Sequence, residues 1–193
     1  MRAYWAMFII YFLTAFAIFG VSVQSVAYLV ELGFGEFEAA GAFGIAGVLS
    51  FAGMFLTGAA ADRYGRSLVA SISYLLTILG VIGLAFLQFF PDKSLIFLWI
   101  IPYGLSMGAR GPIIATLQAK LFAGRGLGAI YGMTMMGQGL GAGLSAWFGG
   151  LLFDLTGGYN LLFRISIIST LVCIILFWIT PEIRLGQLNR TKG

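Results

Sequence analysis

Histidine is absent from this chain of 193 residues, and cysteine occurs once, as Cys173 inside an apolar run. The commonest acid–base group at neutral pH and the usual metal-ligand sets are therefore missing, and no disulfide can close within the chain. No metal and no cofactor is expected. Charge is nearly as scarce: Asp, Glu, Lys and Arg make up 9% of the residues against 60% hydrophobic side chains. Nucleophile elbow, Walker lysine and buried carboxylate pair are all lacking, so hydrolysis, phosphoryl transfer and metal catalysis have no foothold and the chain is not expected to be an enzyme. A net charge of +4 does not point to nucleic acid, because Lys and Arg fall in short breaks and tails with no basic patch of interleaved aromatics.

Apolar side chains are what the sequence has in abundance, with a mean hydropathy of +1.00. A water-soluble fold of this size leaves much of its surface wet and cannot hide so many of them, so lipid is the expected solvent. Mostly apolar runs of spanning length recur at about 4–30, 39–60, 68–90, 95–119, 127–153 and 159–180, separated by short polar breaks. The first run is too long for a signal-peptide core, and no small-residue cleavage site follows it, so it is expected to stay as an anchor. The expected fold is all-α, a six-helix polytopic membrane bundle forming a single domain over residues 1–193. With six spans both ends share a side, and that side collects Arg2, Arg63, Arg66, Lys120, Arg125, Arg184, Arg190 and Lys192, leaving Lys93 on the other. The positive-inside rule then places both termini in the cytoplasm, and the cell (inner) membrane is the expected location.

The break after the second run reads Gly58-Ala59-Ala60-Ala61-Asp62-Arg63-Tyr64-Gly65-Arg66, a short charged turn between oily runs. Its pattern Gly-x-x-x-Asp-Arg-x-Gly-Arg resembles the cytoplasmic signature loop of the major facilitator superfamily. Gly108-Ala109-Arg110-Gly111-Pro112, Leu121-Phe122 and the stretch from Gly150 through Asp154 and Gly157 to Tyr159 look like the C-terminal half of bacterial facilitators related to monocarboxylate and oxalate/formate carriers. The resemblance implies an alternating-access secondary transporter of twelve helices, of which this chain would be half. Gly58, Asp62, Arg63, Gly65 and Arg66 would then form a cytoplasmic gate loop, with Asp62 facing a helix N-terminus and the two arginines contacting acids or carbonyls. Independently, Gly58-x-x-x-Asp62-x-x-Gly65 is echoed by Gly150-x-x-x-Asp154-x-x-Gly157, and Gly20-x-Ser22 by Gly104-x-Ser106. Three helices separate the copies, so the second is inverted in the membrane, the three-plus-three repeat of such a half.

Arg110 is the candidate that stands out. It lies about nine residues, roughly 13 Å, from the nearer end of the fourth run, too deep for easy snorkelling. A guanidinium at that depth marks a wet cavity or an anion, or else a post locked to the protein. Pro112 frees the carbonyl of Gly108 one turn away. Gln24, Tyr28, Tyr131 and Gln138 are further substrate-binding candidates, on helices that the resemblance implies line the cavity. Gly137, Gly141, Ser145 and Gly149 recur every four residues and predict a close helix-packing stripe. Gly139, Gly141 and Gly143 are not a nucleotide fingerprint, since no strand precedes them and the site is mid-membrane. The sixth run has no glycine between Tyr159 and Thr180 and is expected to face lipid, and Arg164 is expected to snorkel to headgroups.

The function expected from all this is transmembrane transport of a small solute, an organic anion such as a monocarboxylate. The bilayer, that solute, and a missing N-terminal six-helix half or a second copy of the chain are the expected partners. The alternative is a non-transporting scaffold or degenerate half that binds a partner.

Overall fold

The computed structural model describes residues 2–122, 124 and 126–180. Arg125, Arg184, Arg190 and Lys192, counted above on the cytoplasmic side, lie outside the described residues, as does the side chain of Arg2. Among the described residues the long elements are α1 (Arg2–Glu31), α2 (Glu36–Tyr64), α3 (Arg66–Phe86), α4 (Ile96–Leu121), α5 (Leu127–Thr156) and α6 (Asn160–Ile179). A single 3₁₀ turn, Lys93–Leu95, precedes α4 and is started by Asp92, whose carboxylate accepts from the Ser94 N–H at 2.9 Å. That N–H, with the Ser94 hydroxyl, holds the Asp92 carboxyl below its ordinary pKa.

By length and composition α2, α3, α6 and α1 from Tyr4 can each cross a membrane. The fourth and fifth helices have the length, at 26 and 30 residues; α4 carries Pro102, Pro112 and Arg110, and α5 is diluted by glycine. Helix ends follow local chemistry. Glu36 and Glu38 occupy the first turn of α2, where the helix dipole favours acids, so the helix starts ahead of its apolar run. Beyond α3, the chain turns at Leu87–Phe89 before Pro91. α5 runs through Asp154 to a left-handed cap at Gly157, φ 66°, whose N–H reaches the Phe153 carbonyl at 2.8 Å.

The segment read as a charged loop is helical almost throughout. Ala59, Ala60 and Ala61 are the best helix formers available, and they carry α2 on through Asp62, Arg63 and Tyr64. Gly65 alone breaks the path, at φ 95°, a region an L side chain rarely adopts, and α3 begins at Arg66. Asp62 and Arg66 stand 3.9 Å apart across that one-residue hinge.

Packing exchanges the two halves of the chain. The first helix packs chiefly on α5 and then on α6; α4 packs chiefly on α2 and then on α3; and α3 meets α6. Glycine sets the closest crossings. A Cβ on Gly53 would stand 1.9 Å from the Leu105 carbonyl oxygen, one on Gly108 2.2 Å from that of Ser50, and one on Gly141 2.3 Å from that of Phe12. The predicted stripe of α5 does pack: Gly137 meets Phe8, Ser145 meets Gly20 and Gly149 meets Gln24, all on α1. Gly80 and Gly83 of α3 lie against Tyr103 and Leu98 of α4 in the same way.

The sixth helix is not simply a lipid-facing element. Leu162, Phe163, Ser166, Thr170, Cys173 and Phe177 are buried along one face, while Ile168, Leu171, Ile175 and Trp178 are exposed on the other. Lack of glycine prevents intimate backbone contact, yet larger side chains still bury a stripe against α1 and α3.

Two apolar clusters fill the bundle. One holds Tyr28, Phe34, Leu84, Trp99, Tyr103 and Phe163; the other holds Met7, Tyr11, Tyr74, Ile113, Leu117 and Phe177. Along α3 and α4 the boundary between them is polar, made of Ser73, Thr77, Ser106 and Arg110.

Candidate functional site

Arg110 is 3% exposed and sits in that polar layer. Its Nε donates to the Ser73 hydroxyl at 3.1 Å, Nη2 donates to the Thr77 hydroxyl, and the guanidinium carbon lies 4.6 Å from the Tyr74 ring centroid. All three contacts come from one face of α3. Stacking a desolvated guanidinium on an aromatic ring contributes about 0.5–2 kcal/mol. No carboxylate among the described residues pairs with it; ion pairs occur instead at Arg66 with Asp62 and at Lys93 with Glu38. Nη1 is buried and has no protein acceptor.

A chain of hydroxyls continues from the arginine. Thr77 donates to Ser106 at 2.8 Å, Ser106 donates to the Tyr103 carbonyl at 2.9 Å, and the Tyr103 hydroxyl lies 2.9 Å from Ser22 and donates to the Ile18 carbonyl at 2.7 Å. On the other side Thr14 meets the Tyr74 hydroxyl at 2.8 Å. α1, α3 and α4 are thus tied through one buried polar layer. Such bonds replace the water that an apolar core does not hold.

Beside Arg110 lies a cavity of about 500 Å³, walled by α1, α4 and α5 with Met54 from α2. Of the predicted substrate residues Arg110, Tyr131 and Gln138 line it together. Gln24 and Tyr28 do not. Gln24 reaches the Ala146 carbonyl at 3.4 Å within the α1–α5 contact, and Tyr28 is buried edge-on against Tyr159 and Phe163. Both sit farther along α1, where polar character in the sequence reflects helix packing. The cavity adds Tyr11, Thr14, Met107 and Met135, which sequence reasoning did not single out. One signal was available: Ser73 and Thr77 stand four residues apart on α3, hence on one face, and such a pair in an apolar helix marks a buried polar partner.

The predicted gate residues stay together at one end of the bundle. Gly58 is free of neighbours within 4 Å, Arg63 stacks 5.5 Å from the Tyr64 ring centroid, and the Arg66 side chain is only 12% exposed beside an Asp62 that is 65% exposed. Arg164 is exposed beside Gln88, Phe89 and Asn160 at the opposite end.

Comparison with known proteins places this geometry. The sequence profile of the Major Facilitator Superfamily matches residues 7–192. The quinolone resistance protein NorB of Staphylococcus aureus, strain JH9, is 29% identical over 144 residues, 74% of this chain and 30% of that protein. The same protein from strain Newman aligns with the same identity and coverage. Among solved structures, a peptide transporter in complex with sulfate superposes with a TM-score of 0.81 at 23% identity, over 96% of this chain and 39% of that one. A POT family transporter in complex with 5-aminolevulinic acid gives 0.75 at 19% identity, over 94% and 38%. The chain spans about a third of the length of the relatives it matches. The fold is theirs, apolar helices make it a multi-pass membrane protein, and with the profile covering nearly every residue the chain belongs to the Major Facilitator Superfamily.

Proposed function

We propose that this chain is one six-helix half of an alternating-access secondary transporter, with six spans in an inverted three-plus-three repeat, and that the solute is a small organic anion held at Arg110. The observation that carries the anion is the guanidinium itself: buried, without a carboxylate partner among the described residues, and with Nη1 unmatched, on a residue that lines a 500 Å³ cavity. A buried cation in this state costs about 3 kcal/mol or more until an anion or water meets it. A carboxylate from the substrate is the partner the site lacks, and Tyr131 and Gln138 are placed to hydrogen-bond the rest of it. Family membership and the transporters named above support transport over an enzymatic role. A test is uptake of labelled monocarboxylates and of matched neutral solutes by the chain together with its other half. Anion uptake is expected; uptake confined to neutral or cationic solutes overturns the substrate class.

A second reading, a structural post, rests on a specific observation: Ser73, Thr77 and Tyr74 already hold the guanidinium against α3. Under it anion uptake has no dependence on Arg110; a chain that gives no uptake at all with its other half is instead the non-transporting scaffold or degenerate half.

The repeat is supported by the exchanged packing, in which α1 lies on α5 as α4 lies on α2. For the missing half, the supporting feature is a set of small residues with open space around them. On α2 these are Gly44, Gly47 and Gly58, sharing a face with exposed Phe51 and Phe55; on α5 they are Gly128, Gly132, Gly139 and Gly143. This α5 face differs from the Gly137–Gly149 stripe, which α1 already fills. Gly139→Leu is expected to leave the bundle folded, since nothing lies within 4 Å, and to abolish assembly with the other half. Crosslinking in membranes measures this, and full assembly in Gly139→Leu removes that face from the interface.

In this arrangement the Gly65 end is cytoplasmic, in the cell membrane, and Asp62 meets a helix N-terminus of the other half. Asp62→Asn is then expected to lower uptake at least tenfold at normal surface expression. Its exposed contact with Arg66 contributes only ~0.5 kcal/mol to folding. Normal uptake kinetics in Asp62→Asn leave a plain hydrated helix end.

A further inference from the structure

We infer that the groove between α2, α3 and α4, at the Gly65 end of the bundle, is a binding site for an anionic membrane phospholipid, one acyl chain lying in the groove and the phosphate on Arg63. The groove encloses about 460 Å³. Leu56, Ala60 and Tyr64 of α2 form one wall, and Leu68, Ile72 and Leu76 of α3 the other, with Leu105 and Ala109 of α4 at the floor. Along each wall helix the lining from Leu56 to Tyr64 and from Leu68 to Leu76 advances by eight helical rises, or roughly 12 Å, parallel to the helix axes. That is a slot oriented as a bilayer lipid is oriented.

The lining chemistry excludes a polar solute. Apart from the Tyr64 phenol, two hydroxyl side chains line the groove, and both are committed inside the protein: Thr57 donates to the Gly53 carbonyl at 2.6 Å and reaches the Ala109 carbonyl at 3.3 Å, and Ser73 accepts from Arg110 at 3.1 Å. What remains is hydrocarbon. Leu56, Leu68 and Ile72 are each about half exposed or more, so the slot opens sideways along its length.

At the end of the slot the chemistry changes. Tyr64 lines the groove, and Arg63 stacks on its ring at 5.5 Å. A cation held at the mouth of an apolar slot complements a phosphate above an acyl chain. The occupant is not the missing half. Gly53, Leu56, Ala60 and Tyr64 recur at helical spacing on one face of α2, whereas Gly44, Gly47, Phe51, Phe55 and Gly58 recur on the opposite face at 100° per residue. A protein partner seated on the small-residue face leaves the groove turned toward lipid. The inference rests on the membrane-spanning arrangement proposed above and not on transport, so the two fail separately.

Lipid retention tests it. The chain with its other half is placed in nanodiscs of equal phosphatidylcholine and phosphatidylglycerol, moved to mild detergent, and weighed intact by mass spectrometry. The parent is expected to retain phosphatidylglycerol in preference to phosphatidylcholine. Arg63→Gln, an exposed change that folding tolerates, is expected to bring retention to background, and Ala60→Phe, which fills the slot, to do the same. Equal retention of the two lipids by the parent, or unchanged phosphatidylglycerol retention in Arg63→Gln or in folded Ala60→Phe, overturns the site. Uptake measured on the same samples reports separately on the transport reading.

Discussion

Replacing Gly53 with alanine is expected to push α2 off α4 and to destabilise the bundle by about 3 kcal/mol or more, at the upper end of overpacking costs. The new Cβ would stand 1.9 Å from the Leu105 carbonyl oxygen, a backbone atom that no rotamer change can move aside. Relief requires the helices to separate, and Gly108 against Ser50 lies in the same crossing at 2.2 Å, so the whole contact opens. Gly58→Ala is the matched control. It sits on the same helix with nothing within 4 Å, and alanine is favoured over glycine in a helix by about 1 kcal/mol, so it should melt no lower than the parent. Cys173, buried at 0% exposure, supplies the readout, since a thiol-reactive dye labels it only as the bundle opens on heating. A midpoint drop of about 10 °C for Gly53→Ala is expected. Equal midpoints for parent, Gly53→Ala and Gly58→Ala would mean that α2 and α4 do not cross there.

The same residues show what could be read without coordinates. Long apolar runs expose six helices directly, because lipid or a packed core is the only place for such side chains. Arg110 was legible for the converse reason, a charge where none is otherwise tolerated. Its partners were not. Ser73, Thr77 and Tyr74 are ordinary in a membrane helix, and only the α3–α4 packing turns them into a cradle. Gln24 and Tyr28 do not join the cavity because distance along α1 is no guide to depth: the Gln24 amide is used on the α5 backbone, and the Tyr28 ring packs on Tyr159 and Phe163. The segment Gly58–Arg66 was read as a loop from its charges, but charge says where water begins and not where a helix ends. Alanine propensity carried α2 onward until Gly65, the one residue suited to φ 95°. Glycine spacing found the packed stripe of α5 and missed its open one, since both faces carry the same residue and sequence does not say which meets α1.

Arg110→Gln is expected to abolish anion uptake with the fold retained, and Arg110→Lys to lower it about tenfold. A charge-assisted hydrogen bond to a buried carboxylate contributes about 1.5–3 kcal/mol, a factor of ten to a hundred in affinity, and the planar fork of arginine supplies two at once. Lysine keeps the charge but gathers its three donors on a single nitrogen, without the planar fork that lets Nε and Nη2 hold Ser73 and Thr77 while Nη1 is left for a carboxylate. Glutamine removes the charge altogether. Stability should move little, because the lost contacts to Ser73, Thr77 and Tyr74 are offset by no longer burying an unpaired cation. Thr77→Val separates the two readings of the site. It removes the hydroxyl that accepts from Nη2 and donates to Ser106, but leaves the guanidinium charge in place. If Arg110 meets substrate, Thr77→Val reduces uptake modestly, by loosening the guanidinium, and Arg110→Gln eliminates it. If Arg110 is a post, both variants lower the thermal midpoint together and neither changes the preference for anions over neutral solutes. Uptake of labelled monocarboxylate, measured beside thiol-dye melting of the same preparations, reads both quantities. Undiminished anion uptake in Arg110→Gln returns the residue to its structural role and removes the argument for an anionic substrate.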